Sequence, residues 1–199
     1  MSGLLALGLI SALSTSTIHL PLARTPGQQV ALHCVAPAQA NGQAVLFVHG
    51  ASFPTMLAFG FEFAPGDSWM DFTAKQGFLA CGLDFTGFGA SSRPEAMAHA
   101  AGDSTPATRA PEAAREIAVA ADYLRKTRGM GRIHLVAHSW GTLPAATFAA
   151  EHPGALASLT LFGPVVPRPG QPAEPVHEAW WTITAEARYQ QLRFKHVLQ

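Results

Sequence analysis

The sequence contains few charged residues and no excess of either sign. Lys and Arg number 13, Asp and Glu also number 13, and charged residues make up 13% of the 199 residues. Nucleic-acid-binding proteins carry basic patches or stripes, and none is visible here, so nucleic acid is not expected as a partner. No apolar run approaches the ~20 residues that cross a bilayer, so no transmembrane segment is predicted.

Cysteine is scarce as well. The chain has two cysteines, Cys34 and Cys81, each within an apolar run typical of a strand. Their spacing favours neither a disulfide framework nor a metal site, so we expect two buried, reduced thiols that pack as small hydrophobic side chains. The nine histidines form no ligand motif of the HExxH type, and no metal site is expected.

What the chain does have is apolar residues, which make up 48% of it and suit one domain with a sizeable core. Residues 4–13 form an apolar run of signal-peptide length, but no Lys or Arg precedes Arg24, so the cationic region of a signal peptide is absent. We therefore expect 1–16 to be an N-terminal extension and the protein to be cytoplasmic. The alternative is a cleaved signal segment and a secreted or periplasmic protein.

Alternating and continuous apolar runs predict a series of strands, separated by segments with helical periodicity. The predicted strands are 17–24, 28–36, 44–48, 78–83, 133–136 and 156–162. The predicted helices begin at Asp67 or Ser68, at Pro111 and at Thr142. Strands that alternate with helices and are apolar throughout favour an α/β fold, with a mostly parallel sheet covered by helices on both faces.

Ser139 lies in the stretch HLVAHSWGT (134–142), between a predicted strand and a predicted helix. Small residues stand two before and two after it, Ala137 and Gly141. This is the spacing of a nucleophile elbow, in which a strained turn lifts the serine hydroxyl off the sheet and flanking side chains would collide with the neighbouring backbone. The alternative is a serine that caps the N-terminus of a helix and has no catalytic role.

Three stretches place unusual loops at the carboxyl ends of the strands, where ligands bind in such sheets. They are VLFVHGA (45–51), DFTGFGASSRP (84–94) and AHSWG (137–141). By these stretches and their order, residues 17–163 resemble the α/β-hydrolase family. The resemblance implies that Ser139 is the nucleophile and that the backbone N–H groups of Ala51 and Trp140 form the oxyanion hole.

The resemblance also implies which polar residues have other roles. At the positions of His49 and Asp84 the family has loop-shaping residues that bond to backbone, and the residue before the nucleophile, here His138, packs beside it. In this fold the catalytic acid and histidine follow the serine, each after a later strand. No acid or histidine after Ser139 follows a recognisable strand; these residues are Glu174, Glu178, Glu186, His177 and His196. We expect the two histidines to be solvated or to pack within a cap.

The rest of the chain reads as a Pro-rich linker followed by an amphipathic segment, 177–198, typical of the opening of a helical cap. We therefore predict three parts: the extension 1–16, an incomplete hydrolase core 17–163 and the start of a cap 164–199. The chain looks like the N-terminal two-thirds of a cap-bearing member of the family, and the acid and base are expected outside it.

These expectations predict a serine hydrolase that cleaves an ester or amide through an acyl-enzyme on Ser139 and needs no metal or organic cofactor. The expected partner is a small-molecule, apolar ester. Aromatic side chains near the oxyanion loop either contact its apolar group or simply fill the core: Phe53, Phe59, Phe61, Phe63 and Trp69. One alternative is a truncated or degenerate, non-catalytic binding module. A further alternative is an acyltransferase or cofactor-free peroxidase on the same fold.

Overall fold

The computed structural model describes residues 13–166, 170 and 176–191. They contain one six-stranded sheet with the strand order β1-β2-β4-β3-β5-β6. The strands are β1 (Ser14–Pro21), β2 (Gln29–Ala36), β3 (Ala44–Val48), β4 (Leu79–Asp84), β5 (Ile133–His138) and β6 (Leu156–Phe162). β3, β4, β5 and β6 pair in parallel, and β1 and β2 extend the sheet antiparallel. The predicted mostly parallel sheet is confirmed.

In the described residues, four α-helices lie between these strands and a fifth follows β6. They are α1 (Thr55–Ala58), α2 (Trp69–Lys75), α3 (Ala110–Asp122), α4 (Thr142–Glu151) and α5 (Ala185–Gln191). α3 continues as a π-helical turn, Tyr123–Thr127. The one-turn helix α1 lies between β3 and α2, where no helix was predicted. Its four residues are too few to show helical periodicity in the sequence, because one turn presents each side chain once.

Local capping residues account for the start of α2 and for the ends of α2 and α3. Ser68, one of the two predicted caps, accepts a hydrogen bond from the Asp71 N–H at 3.0 Å, and the Asp71 carboxylate accepts the Ser68 N–H at 3.2 Å. This capping box satisfies two N–H groups at the start of α2. Gly77 (φ 91°) and Gly129 (φ 72°) follow the two helices in the left-handed region, which glycine adopts without steric cost.

Helices cover both faces of the sheet. On one face, α3 and α4 pack against side chains such as Leu46 and Val48, and Ile117 of α3 is fully buried there. On the other face, α2 packs against Val45 and Phe47. Successive β3 residues therefore serve opposite faces, and burial of each large side chain contributes roughly 1.5–3 kcal/mol. The predicted arrangement of helices is confirmed.

The two cysteines form a disulfide, so the prediction of reduced thiols was wrong. Cys34 of β2 lies directly opposite Cys81 of β4 in the antiparallel register. Their Cα atoms are 4.1 Å apart and their sulfur atoms are bonded. The sequence could not show this pairing, because the register of two strands 47 residues apart is set by the whole sheet and not by local spacing.

The chain divides into two compact units. The larger comprises the described residues of 1–93 and 108–171 and holds the sheet; the smaller comprises those of 94–107 and 172–199. In the smaller unit, the Trp180 indole N–H donates to the Ala96 carbonyl at 3.0 Å, and the Ala179 N–H donates to the Ala101 carbonyl at 2.7 Å. α5 lies within the predicted amphipathic segment, whose residues from 192 onward fall outside the described part. The predicted boundaries at 16 and 163 and the assignment of a cap stay predictions.

Candidate active site

The turn between β5 and α4 holds Ser139 in a conformation that side chains rarely adopt. Ser139 has φ 53°, and no other non-glycine residue in the described part of the chain has a positive φ. Such a backbone costs on the order of 1–3 kcal/mol, which the surrounding structure has to offset. β5 ends at His138, the 3₁₀ turn Ser139–Gly141 follows, and α4 begins at Thr142. This is the strand–serine–helix arrangement that the sequence predicted.

Two glycines allow the end of β3 to approach this turn. A Cβ at Gly141 would lie 2.3 Å from the carbonyl oxygen of His49, and a Cβ at Gly50 would lie 3.0 Å from Ser139 Cβ. The first distance is far inside van der Waals contact and involves backbone, so a side chain at 141 would push the two strands apart. The second is tight enough to favour glycine at 50 as well. The close approach brings the His49–Ala51 loop beside the serine.

Hydrogen bonds fix the first turn of α4. Thr142 Oγ1 donates to the carbonyl oxygen of Ser139 at 2.6 Å and accepts the N–H of Val165 at 3.1 Å. The Trp140 N–H lies in this turn, where helix N–H groups have no partner within the helix. The Ala51 N–H follows Gly50 on the facing loop. These two N–H groups are the predicted oxyanion hole, and that assignment, like the role of Ser139, stays a prediction.

His49 is buried and holds its own loop in place. Its Nδ1 donates to the carbonyl oxygen of Gly50 at 2.6 Å, and its Nε2 accepts the N–H of Phe85 at 3.1 Å. Burial lowers the pKa of His49, although the bond to Gly50 and the charge of Asp84 act in the opposite direction. Both ring nitrogens are therefore occupied on a neutral imidazole. The expectation that His49 shapes its loop through backbone bonds is confirmed.

Asp84 joins two loops at the end of β4. Its Oδ1 accepts the N–H of Thr55 at 2.8 Å, and its Oδ2 accepts the N–H of Ala90 at 2.9 Å. His33 Nε2 lies 2.9 Å from the same Oδ2. Burial opposes ionisation, but the hydrogen bonds from His33, Ala90 and Thr55 outweigh it and lower the pKa of Asp84 to about 2. The predicted loop-shaping role of Asp84 is confirmed, whereas its partner His33 was not predicted.

A second buried carboxylate, Glu116 of α3, holds the loop that follows β4. Its Oε1 accepts the Thr86 hydroxyl at 2.6 Å, and its Oε2 accepts the Thr86 N–H at 3.0 Å. Burial raises the pKa of Glu116, and the two bonds from Thr86 partly offset this. This pair was not predicted, because a single Glu on the apolar face of a helix resembles an ordinary exposed residue until the helix is docked.

Two histidines of β5 pack or make structural hydrogen bonds. The His138 ring stacks on Phe162 with centroids 5.2 Å apart, as expected for the residue before the serine. His134 Nδ1 lies 2.8 Å from Ser158 Oγ and its Nε2 lies 2.9 Å from Gln43 Oε1. Neither ring is a hydrogen-bond partner of Ser139, and the stacking of His138 agrees with the packing role expected of it.

Within the described residues, no side chain stands as a catalytic acid or base beside the serine. No side chain in the described ranges makes a hydrogen bond with Ser139 Oγ. Of the candidates that follow the serine in the chain, His177, Glu178 and Glu186 are exposed in the smaller unit. Glu174 and His196 lie outside the described residues.

The aromatic residues after the oxyanion loop divide between core and surface. Phe59 is buried, with its ring 4.9 Å from that of Phe47. Trp69 is 43% exposed and lies edge-on to Phe162, with centroids 6.3 Å apart. Phe63 is almost fully exposed. Core filling thus explains Phe59, while Trp69 and Phe162 continue an apolar series that reaches His138, next to the serine.

The described residues offer neither a metal site nor a helix that could cross a membrane. They contain no cluster of three or more His, Cys, Asp or Glu side chains that could hold a metal ion. Within the same ranges, helices fall short of the length and apolar character that crossing a bilayer requires.

Comparison with protein families identifies the family to which this chain belongs. The family model described as alpha/beta hydrolase fold matches residues 43–194. The chain belongs to the α/β-hydrolase fold family. The match begins just before β3 and includes the loops after β3, β4 and β5, so the family resemblance seen in the sequence is confirmed.

Individual known proteins are similar to parts of this chain. A curated relative, Probable lysophospholipase BODYGUARD 2 of Arabidopsis thaliana, is 35% identical over 133 residues, which are 65% of this chain and 25% of that protein. A predicted CIB-like hydrolase from Thermoplasma acidophilum superposes with a TM-score of 0.55 at 19% identity, covering 77% of this chain and 64% of the other.

The thioesterase domain from the curacin biosynthetic pathway also shares the fold. It superposes with a TM-score of 0.55 at 19% identity over 73% of this chain and 43% of that domain. The chain thus spans a quarter of the curated relative and less than two thirds of these two solved structures. At such identities the structural matches establish the fold alone.

Proposed function

We propose that this chain carries the nucleophile and oxyanion hole of a serine hydrolase that acts on carboxylic esters. The observation that carries the proposal is the backbone of Ser139, a non-glycine residue at φ 53° on a turn where Gly141 and Gly50 allow close backbone approach. Strained conformations of this kind persist where a site needs them, since a serine that merely capped a helix would take ordinary extended angles.

The proposed chemistry follows from this position. Ser139 Oγ attacks the ester carbonyl, its proton passes to a general base, and the alcohol leaves, so that the acyl group stays on Ser139 until water releases it. The N–H groups of Ala51 and Trp140 stabilise the negative charge that develops on the carbonyl oxygen. Removal of one such donor typically costs roughly 3–4 kcal/mol of transition-state stabilisation. His49, His134 and His138 do not serve as the base in this proposal, because each is engaged elsewhere.

Two observations support an apolar ester as the substrate class. Trp69, Phe162 and His138 form a series of ring contacts that ends at the residue before the serine. The chain is also similar to a probable lysophospholipase and shares its fold with a thioesterase domain, and both names refer to cleavage of acyl esters or thioesters. We therefore infer that the acyl group is apolar and lies along these rings.

The test is labelling with an alkyl fluorophosphonate, read by intact mass. We expect one adduct on the wild-type chain, formed slowly because the general base is expected outside it, an adduct of equal size on Ser158→Ala, and none on Ser139→Ala. Ser158 is the matched control, because its hydroxyl contacts a histidine, His134, without lying on the turn. Labelling of Ser139→Ala at the wild-type rate would show that the nucleophile is another residue.

A non-catalytic binding module is the second candidate. It is favoured by one observation, that no described side chain hydrogen-bonds to Ser139 Oγ. It predicts that the wild-type chain remains unlabelled by the fluorophosphonate but still binds a fatty acid with an affinity that Trp69→Ala weakens. If labelling does occur, product analysis with water, alcohol and peroxide as acceptors separates a hydrolase from an acyltransferase or a peroxidase.

A further inference from the structure

The Asp84 carboxylate is a hub that ties three parts of the larger unit together. It is 1% exposed, and it bonds the N–H of Thr55 at the start of α1, the N–H of Ala90 in the loop after β4, and the ring of His33 on β2. The loop after β4 wraps closely around it: a Cβ at Gly89 would lie 1.8 Å from Asp84 Oδ2. The carboxylate therefore fixes where both loops begin or end.

Within this hub, His33 is the side-chain partner of Asp84. An ionised carboxylate only accepts hydrogen bonds, so His33 Nε2 carries the proton that it donates to Oδ2. On the other side of the ring, Nδ1 lies 2.9 Å from the Thr17 hydroxyl on β1. The ring is held at both nitrogens by residues of neighbouring strands, and its side chain is only 13% exposed. It can therefore hold Oδ2 in one place.

The hub connects to the serine through the loop that carries Ala51. One end of that loop is held by His49, whose Nε2 accepts the N–H of Phe85, the residue after Asp84. The other end is held by the bond from the Thr55 N–H to Asp84. Ala51 lies between these two attachments, and Gly50 stands against Ser139. Any shift of the carboxylate moves one of the two anchors of the loop.

We infer that His33 is a positioning residue for the oxyanion hole: by holding the Asp84 carboxylate, it fixes Thr55 and thereby places the Ala51 N–H relative to Ser139. This inference rests on the proposed function, since it concerns the same site. His33 contacts neither the serine nor the substrate. Its effect is carried by the loop geometry, and it should be measurable both in the loop itself and in the rate of acylation.

The experiment compares His33→Leu, His33→Gln and His134→Leu with the wild-type chain. His134 is the matched control, a strand histidine with two side-chain hydrogen bonds near the amino end of β5, away from Asp84. Glutamine reaches about as far as the Nε2 of histidine and can donate to Asp84. Residue-resolved hydrogen exchange reports on the Thr55 and Ala90 amides, and fluorophosphonate labelling gives kinact and KI separately.

For His33→Leu we expect exchange of the Thr55 and Ala90 amides to rise roughly tenfold or more, since a charge-assisted bond is lost from the hub. We expect kinact to fall by a similar factor with KI unchanged, because positioning of the oxyanion hole affects the chemical step. His33→Gln should keep most of both properties, and His134→Leu should leave both within about twofold of the wild type.

Wild-type exchange and kinact in His33→Leu would overturn the inference, and so would equal losses in His33→Leu and His134→Leu, since these would show a general effect on stability. If His33→Leu does not fold, His33→Asn takes its place, because the shorter amide does not reach Asp84. Absence of labelling in the wild-type chain would instead count against the proposed function. The exchange measurement would then decide the positioning role alone.

Discussion

Single residues around the serine carry the proposed chemistry through their backbone positions. Gly141 and Gly50 matter because of what they lack: a Cβ at either would meet the backbone or side chain of the facing loop. Gly154, by contrast, has open space around its Cβ position. Glycine is common in turns for many reasons, but only the contacts of the folded chain show which glycines a close approach requires.

The charge of Asp84 also has a consequence for stability. The hydrogen bonds that Asp84 accepts from His33, Ala90 and Thr55 lower its pKa from 3.8 to about 2. A carboxylate with a lowered pKa in the folded state stabilises the fold above its unfolded pKa, and this stabilisation is lost as the pH falls through the folded value. The change corresponds to about 2 kcal/mol, lost between roughly pH 4 and pH 2.

We therefore predict that Asp84→Asn removes this part of the acid dependence. Urea unfolding from pH 5 to pH 2 should show a free energy of unfolding that falls by about 2 kcal/mol less in the variant than in the wild type. Asp122→Asn is the control, because the ion pair of Asp122 with Lys126 is exposed and contributes little. Parallel acid profiles for the wild type and Asp84→Asn would contradict the prediction.

At the scale of elements, the antiparallel pairing of β2 with β4 places His33 beside Asp84. The antiparallel register sets Cys34 opposite Cys81 and His33 opposite Gly82. Gly82 in turn leaves room for Thr55, since a Cβ there would lie 2.2 Å from Thr55 Cγ2. The disulfide therefore joins the same two strands that carry His33 and Asp84, and Cys34 is the residue next to His33.

We predict that the chain, unfolded in denaturant without reductant, contains no reactive thiol, and two after reduction. A Cys34→Ser, Cys81→Ser double variant should lose about 2–4 kcal/mol of free energy of unfolding, because the cross-link closes a long loop in the unfolded chain. Thiol titration and urea unfolding measure the two quantities. Two reactive thiols in the unreduced protein would refute the pairing.

The sequence predicted the extent of individual strands and helices well. β3 begins and ends where the apolar run 44–48 does, and the apolar face of α3 is buried, including Ile117. Leu124, in the π-helical turn that follows α3, is buried as well. Local periodicity is enough there, since each helix or strand buries one or both of its own faces. Register between strands is not local, so the disulfide and the His33–Asp84 pair were missed.

At the scale of the whole molecule, the sheet ends at β6, whose outer side has no strand paired to it in the described part of the chain. Only its first residue is buried, while Leu159 and Leu161 are each 38% exposed and Phe162 is 57% exposed. Unpaired strands with apolar, uncharged sequences tend to pair with other chains. β6 contains no charged residue.

We therefore predict concentration-dependent self-association of this 199-residue chain, which Leu161→Lys should reduce, because a charge on the strand disfavours pairing. Leu57→Lys is the control: it replaces an exposed leucine on the helix α1, away from any strand edge. Light scattering over a range of concentrations measures the effect. Equal improvement by both variants would show that apolar exposure in general, and not the strand edge, causes the association.

The sequence by itself determined the α/β fold, the order of the elements and the position of the serine turn. These depend on patterns within a few residues: continuous apolar strands, capping residues, and small residues on either side of Ser139. The loop-shaping interpretation of His49 and Asp84 came from the family resemblance, and the hydrogen bonds of both residues agree with it.

Only the tertiary structure decided what partners these residues have. His33 meets Asp84 across 51 positions of sequence, Glu116 meets Thr86 across 30, and Cys34 meets Cys81 across 47. Each pairing depends on how strands align or how a helix docks on the sheet, and both are set by the packing of the whole core. A sequence shows which groups are available, whereas the fold decides which of them come within hydrogen-bonding distance.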